Sequence, residues 1–412
     1  MTTVPKPSSG TKSKSKPDIK LPAPQAINGG EAVAYAMRQI DPEVVAAYPI
    51  TPQTFIIEKF SEYVADGIVN TEYINVESEH AAMSACVGAT AAGGRSQTAT
   101  SGPGLALMYE MLWVASGMRL PIVMHLCSRS FSAPLNILCD HSDVMGMRES
   151  SWPMLIGASP QEAYDQALVA PTIAEDKSVM LPVTNVLDGF TVTHSVERVE
   201  VLPDEVAKEF AGEYEPDVWA LEPGSTATFG TLDANDYYFE HKRQQVEAMD
   251  NSLEVIRTQL NAFGEISGRP MNLIEEYLLD DAEVALIVLG SSEGMVRAAI
   301  DQARADGIKV GMLRIRLFRP FPVADLRKSL EGIGAIGVLD RAIAFGTPGN
   351  GLLQDIATAT RSMPDRPLLM DFVYGLGGRA TPRQLFRQAI DHVVKMNETR
   401  IEPDDPSYLG LK

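Results

Sequence analysis

Short apolar runs bounded by turn residues alternate with segments whose apolar positions recur every three or four residues, and the alternation continues through most of the chain. From Gly29, the residues Ala32, Val33, Ala36, Met37 and Ile40 fall on one helical face. Val44 to Ala47 follows as a short strand entering the turn Tyr48-Pro49-Ile50-Thr51-Pro52. Residues 71–76, 96–101, 120–127 and 179–186 read as strands, with helices near 79–92, 104–118 and 160–174. Strands joined through helices predict a parallel sheet covered on both faces. The rhythm breaks over residues 225–280, where a turn-rich stretch precedes a long polar helix from Glu240 to Phe263. It restarts at Val284–Leu289, an unbroken apolar run that reads as a buried strand. A helix (Val296 to Ala305), a strand (Val310 to Arg314), a helix (Pro322 to Leu330), a strand (Ala335 to Leu339) and a helix near 351–361 then follow.

The expected architecture is therefore α/β. A doubly wound parallel-sheet domain spans 28–245, a linker helix 246–280 and a smaller doubly wound domain 281–400. Residues 1–27 carry Lys6, Lys12, Lys14, Lys16 and Lys20 among Pro, Ser, Thr and Gly, a composition that buries too little apolar surface to offset ordering entropy. They are expected to form a disordered basic tail, and residues 401–412 a C-terminal tail.

Composition narrows the function. At 412 residues, 45% hydrophobic and 22% charged, the chain has ample material for packed cores, and its formal charge of −19 disfavours contact with nucleic-acid phosphates. It contains no apolar run of 18 residues and no signal-peptide core near its start, so the expectation is a cytoplasmic protein without a membrane span. Cys86, Cys127 and Cys139 show no Cys-x-x-Cys spacing, so neither an iron-sulfur cluster nor a structural zinc is expected from this chain alone. Cys86 and Cys127 read as buried free thiols.

Candidate chemistry gathers between Thr71 and Gly104. A short strand ends at the acidic turn Glu77-Ser78-Glu79, and the helix after it is built of Ala81, Ala82, Ser84, Ala85, Gly88, Ala89 and their like, open to close approach on both faces. Acidic residues here also suit a helix N-terminus, with Ser78 as its cap. The turn Ser101-Gly102-Pro103-Gly104 has glycines but neither the lysine nor the spacing of a phosphate loop. Two prolines restrict the backbone around Thr51 and would hold its hydroxyl at a defined angle. Arg129 ends an apolar strand, where its fork would suit a carboxylate in the crevice at a sheet edge. Asp140-His141-Ser142-Asp143 reads as a cap and turn; no second His or Cys stands at ligand spacing, and no metal site is expected. Tyr374-Gly375-Leu376-Gly377-Gly378-Arg379 reads as a packed turn or subunit contact.

In their shared order, these stretches resemble the alpha subunit of multi-subunit pyruvate:ferredoxin oxidoreductases. The resemblance rests on Tyr48–Pro52, Glu77–Ala82, Thr100–Gly104, Ser128-Arg129-Ser130 with Asp140–Met145, Asp188-Gly189-Phe190, Gly337–Arg341 and Tyr374–Arg379, and spans about residues 28–400. It implies a pyrimidine-type thiamine diphosphate domain followed by a transketolase C-terminal-like domain. The implied activity is oxidative decarboxylation of pyruvate to acetyl-coenzyme A and CO2, with electrons passing through iron-sulfur clusters in other subunits to ferredoxin. By resemblance, Glu79 meets the pyrimidine ring nitrogen, with Ser101 and Gly102 as further cofactor-binding candidates, while Thr51 and Arg129 hold the substrate's carboxylate and oxo oxygens. No Gly-Asp-Gly occurs in the chain. The Mg²⁺-diphosphate clamp is thus expected on a beta subunit, with gamma and ferredoxin-like delta subunits or fusions completing the complex. The alternatives are a branched-chain 2-oxoacid or 2-oxoglutarate enzyme, or a non-catalytic scaffold subunit that kept the fold. The segment Phe131–Ile137 is closer to the pyruvate branch than to the glycine-rich 2-oxoglutarate one.

Overall fold

Two parallel sheets absorb the apolar runs in a computed structural model that describes residues 20–224 and 226–412. In chain order the strands of the first half are β1 (Gln25–Ile27), β2 (Val44–Ala47), β3 (Glu72–Asn75), β4 (Ser96–Thr100), β5 (Val123–Ser128), β6 (Met154–Gly157), β7 (Val183–Asp188) and β8 (Glu197–Val199). The second half adds β9 (Ile274–Tyr277), β10 (Val284–Leu289), β11 (Val310–Ile315), β12 (Leu317–Arg319), β13 (Ala335–Asp340), β14 (Leu368–Val373) and β15 (Ser407–Tyr408). The first sheet runs β12-β6-β7-β5-β4-β2-β3 and the second β15-β14-β13-β10-β11-β9; β12 and β9 are the antiparallel edges.

Strand order places the crevices. In the first sheet the chain moves from β2 outward to β3 and returns to β4 on the other side of β2, so β2 and β4 flank the point where helices leave on opposite faces. Ligands of open α/β sheets bind outside the carboxyl ends of such a pair. The second sheet has the same reversal between β10 and β13.

Several boundaries differ from the sequence expectation. The basic tail falls outside the described residues up to position 19, but Gln25–Ile27 pair antiparallel with β8 and are not a tail. The long helix spans Tyr238–Ser267, and β9 occupies the rest of the expected linker, recruited because Ile274 and its neighbours cover the open edge of β11. The helix expected over 104–118 is two, Gly102–Leu107 and Tyr109–Gly117, broken at Met108. The C-terminal tail contributes β15 to the second sheet. Strand β12, from within the expected second domain, completes the first sheet, so the two units share a strand as well as a surface. Its three residues are too short a run to betray their sheet.

A charged layer reinforces that seam. Glu162, in the first turn of the helix Pro160–Ala174, accepts from Arg314 Nη2 at 2.7 Å, Arg314 Nη1 at 3.0 Å and Arg316 Nη2 at 2.8 Å, with both arginines buried. Burial pushes the Glu162 carboxyl up, but Arg316 and Arg314 outweigh it and hold the group down at about 2. A carboxyl whose folded value lies below its ordinary one stabilises the fold above the ordinary value, and this contribution disappears as pH falls through the folded value. Glu162→Gln should lower stability at pH 7 by about 3 kcal/mol and flatten the loss between pH about 4.5 and about 2, read by denaturant unfolding across that range.

Candidate active site

The crevice between β2 and β4 is walled by the turns that leave them. Gln53 closes the first turn, its Nε2 donating to the carbonyls of Tyr48 at 2.9 Å and Ala99 at 3.2 Å. This ties the end of β2 to the end of β4 and fixes Thr51 between them. The Thr51 carbonyl then accepts from Ser101 Oγ at 3.2 Å and from Arg129 Nη1 at 2.9 Å. Among the described residues its own hydroxyl has no partner.

Arg129 follows β5 directly and is 6% exposed. Its backbone N–H donates to Asp143 Oδ2 at 2.8 Å, and its Nε donates to the Asn136 carbonyl at 3.1 Å. Among the described residues no carboxylate pairs with the guanidinium, and Nη2 is left without an acceptor. Burial lowers its proton affinity and Asp143 pulls the other way, with the side chain remaining a cation.

Glu79 sits in the first turn of the helix Glu79–Ala91, capped by Ser78, and is 6% exposed, whereas Glu77 is exposed. Its carboxylate lies against Gly104, where an added Cβ would stand 2.6 Å from Glu79 Oε1 and 2.6 Å from Thr100 Oγ1. Only glycine leaves room there. Among the described residues nothing donates to this carboxylate, so a nearly buried acid is left open to a ligand. The turn Ser101–Gly104 thus touches Glu79 through Gly104 and Arg129 through its earlier residues, and brings Glu79, Thr51 and Arg129 to one crevice.

Two of the expected binding groups are spent inside the protein. The Ser101 hydroxyl serves Thr51, and the Gly102 N–H donates to Asp143 Oδ2 at 3.0 Å. The turn braces the site through these two groups.

Asp143 is the residue the sequence reading undervalued. Asp140 does form the expected turn, with Oδ1 accepting from Ser142 N and Oγ. Asp143, fully buried, instead joins β5 to the Gly102 turn by accepting from Gly102, Arg129 and, at 2.8 Å, Ser128 Oγ. Burial pushes its carboxyl up to about 7 against those donors. A protonated Oδ1 could donate to Ser128 Oγ, whose hydrogen is free to go to the Asp140 carbonyl at 2.5 Å. An acidic residue in the first turn of a short helix gives little sign of this in the sequence.

Asp188 and His141 were likewise visible only as motif members. Asp188 Oδ1 accepts from His141 Nε2 at 2.8 Å, and Oδ2 accepts from Arg341 Nη1 at 3.1 Å, Ser291 N at 2.9 Å and Ser291 Oγ at 2.6 Å. Cys139, His141 and Asp188 bring donor atoms within 4.8 Å of one another, but Arg341 already supplies the positive charge there. All three thiols are buried, with Cys86 pushed up to about 12 by its surroundings.

The structure defines a doubly wound α/β protein whose first switch point holds, among the described residues, an acid without a donor and an arginine with one free arm. The model described as "pyruvate flavodoxin/ferredoxin oxidoreductase, thiamine diP-bdg" matches residues 35–260, and "pyruvate:ferredoxin oxidoreductase core domain II" matches residues 282–385. The chain belongs to the pyruvate:ferredoxin oxidoreductase family. It is 48% identical over 387 residues to the pyruvate synthase subunit PorA of Thermotoga maritima, covering 94% of this chain and 98% of that one. To the ketoisovalerate oxidoreductase subunit VorA of Pyrococcus horikoshii it is 38% identical over 359 residues, covering 87% and 90%. The fold is that of the 2-oxoglutarate:ferredoxin oxidoreductase from Magnetococcus marinus, with a TM-score of 0.71 at 21% identity, over 90% of this chain and 65% of that longer one. Among the described residues no helix is long and apolar enough to cross a membrane.

Asp143→Ala should cost about 3 kcal/mol by stranding buried donors. Because the folded value of Asp143 lies above the ordinary carboxyl value, its contribution shrinks as pH rises from about 4 to about 7. The difference between wild type and variant should therefore be larger at pH 5 than at pH 8 in denaturant titrations.

Proposed function

We propose that this chain is the alpha subunit of a multi-subunit pyruvate:ferredoxin oxidoreductase and supplies the pyrimidine side and the substrate grip of a shared active site. The observation that carries the reading is the convergence of Glu79, Thr51 and Arg129 on one crevice, with the acid lacking a donor and the Nη2 arm of the guanidinium lacking an acceptor among the described residues. The residues fit thiamine diphosphate: a carboxylate without a donor can take the pyrimidine ring nitrogen, and the small-residue helix beside it admits a flat ring. When bound, thiamine diphosphate supplies an electron sink for the charge released as CO2 leaves the 2-oxoacid.

The chain's own residues do the rest. Glu79 holds a proton toward the pyrimidine nitrogen, general acid-base help worth about 10² to 10⁴ in rate. Arg129 offers Nη2 to the substrate carboxylate, and the Thr51 hydroxyl is available to an oxo oxygen. Since decarboxylation removes charge from the carboxylate, the arginine serves orientation and must not hold the ground state too tightly. The lack of a Gly-Asp-Gly supports a beta subunit as the carrier of the Mg²⁺-diphosphate clamp, and the spacing of the cysteines supports gamma or delta chains or fusions as the carriers of the iron-sulfur clusters. Those clusters carry the electrons to ferredoxin while coenzyme A accepts the acetyl group, in the cytosol. A branched-chain 2-oxoacid is the second reading, supported by the 38% identity to the ketoisovalerate subunit; the 48% identity to a pyruvate synthase subunit favours pyruvate.

Glu79→Gln, assembled with its partner chains, should keep its circular dichroism and lose about two orders of magnitude or more in pyruvate-dependent ferredoxin reduction. Near-normal turnover would remove Glu79 from the mechanism. Arg129→Ala should raise the pyruvate KM, and an unchanged substrate dependence would make that arginine structural. The chain purified alone should bind thiamine diphosphate weakly by calorimetry, since it lacks the diphosphate clamp; tight binding would sink the shared-site reading.

A further inference from the structure

The loop that carries the brace of Arg129 has little packing to hold it. Between β5 and the helix that begins at Ser142, residues 132–135 face solvent, and Leu135, Ile137 and Leu138 are exposed. Its fixed points are polar: Ser130 Oγ donates to the Leu138 carbonyl at 3.1 Å and to Asp140 Oδ2 at 2.7 Å within the first half, and a second set runs to the second half of the chain. Asn136 uses three groups at once: its carbonyl accepts from Arg129 Nε at 3.1 Å, its Oδ1 accepts from Leu138 N at 2.7 Å, and its Nδ2 donates to the Gly377 carbonyl at 3.1 Å. The Gly378 N–H donates to the Cys139 carbonyl at 2.8 Å, and the Gly377 N–H donates to Asp140 Oδ2 at 3.2 Å.

The turn is shaped for this contact. Gly377 and Gly378 have φ of +57° and +71°, and added Cβ atoms would stand 2.4 Å from Asn136 Nδ2 and 2.5 Å from Leu138 Cβ. Side chains at either position would push the loop away.

The geometry points to Asn136 and the Gly375–Gly378 turn as positioning elements for the substrate arginine. The second half of the chain sets the plane of the Arg129 guanidinium, by locking the loop whose carbonyl holds Nε. With only the Thr51 carbonyl on Nη1, the fork could swing about one contact; the Asn136 carbonyl supplies a second and leaves Nη2 for a ligand. The inference rests on the reading of Arg129 as the carboxylate grip and adds a function for the glycine-rich turn, which the sequence reading left as packing or a subunit contact.

The test is a double-mutant cycle in the assembled complex, using Asn136→Asp, which keeps size and the acceptor for Leu138 but turns an oxygen toward the Gly377 carbonyl. Pyruvate KM, kcat, thiamine diphosphate affinity and thermal midpoint are measured for N136D, R129A and the double variant. Asn136→Asp should raise the pyruvate KM about three- to tenfold, the worth of one hydrogen bond, without moving cofactor affinity or the thermal midpoint. It should add nothing in the R129A background. An unchanged KM in N136D, or an equal rise with and without Arg129, overturns the inference while leaving Arg129 as the grip. An R129A variant with normal KM overturns the grip itself and this inference with it. If Asn136→Asp lowers the thermal midpoint, Asn136→Ala reads the same cycle without the added charge, and the same outcomes decide.

Discussion

One buried carboxylate joins the two halves of this chain, and the active site inherits its position from it. Asp188 ends β7 in register with Ser128, the last residue of β5, and Arg129 is the next residue along. From there Asp188 reaches across to Ser291 after β10 and to Arg341 after β13, with His141 on its other oxygen. Burial alone would make an ionised carboxylate costly here, but His141 and then Arg341 outweigh that cost and hold it well below the usual carboxylate range. Removing one member of such a set strands another buried charge, at about 3 to 5 kcal/mol, a large part of what keeps a domain folded. The halves are therefore fixed to each other at the point where Arg129 begins.

The same carboxylate occupies the second of the two switch points among the described residues. The crevice of the second sheet, between the ends of β10 and β13, is filled by Asp188, whose oxygens take the Ser291 N–H and the Arg341 guanidinium that an external anion would otherwise use. An added Cβ at Gly290 would stand 2.7 Å from both Asp188 oxygens, so this fit also needs a glycine. The second unit has become an intramolecular receptor for the first. Its strand β12 in the first sheet and the Glu162–Arg314–Arg316 layer serve the same end at the far edge.

Legibility in the sequence followed the range of the interactions involved. Buried parallel strands such as Val284–Leu289 announce themselves because every side chain is apolar, and the turns after β2 and β4 announce themselves through proline and glycine. In the sequence, Glu79 is set apart from Glu77 only by the family resemblance, since both suit a helix N-terminus. Edge pieces were not legible: β9, β12 and β15 are two to four residues long, and their pairing depends on partners 35 or more residues away in the cases of β12 and β15 and on an antiparallel edge in the case of β9. Asp143 and Asp188 were quoted as motif members with no role derivable, because what they do depends on donors from backbone groups and from the other half of the chain. The same holds for Ser101 and Gly102, whose polar groups looked available in the sequence and are occupied in the fold.

The contrast between occupied and unoccupied polar groups is the strongest physical argument for where the chemistry lies. Asp188 and Asp143 are buried acids and Glu162 a partly buried one, and each is surrounded by donors that compensate for the loss of water. Glu79 is nearly as buried, and Arg129 nearly as enclosed, yet the acid lacks a donor and one arm of the arginine lacks an acceptor among the described residues. Other buried charged groups leave single atoms unmet, Asp340 Oδ1 and Arg316 Nε among them, but those side chains are bonded through their other atoms, whereas neither Glu79 oxygen accepts a bond among the described residues. Unmet hydrogen-bonding capacity becomes binding free energy once a ligand supplies the missing partners, and rigid bracing by Thr51, Asn136 and Asp143 ensures that little of it is lost to ordering the protein at that moment.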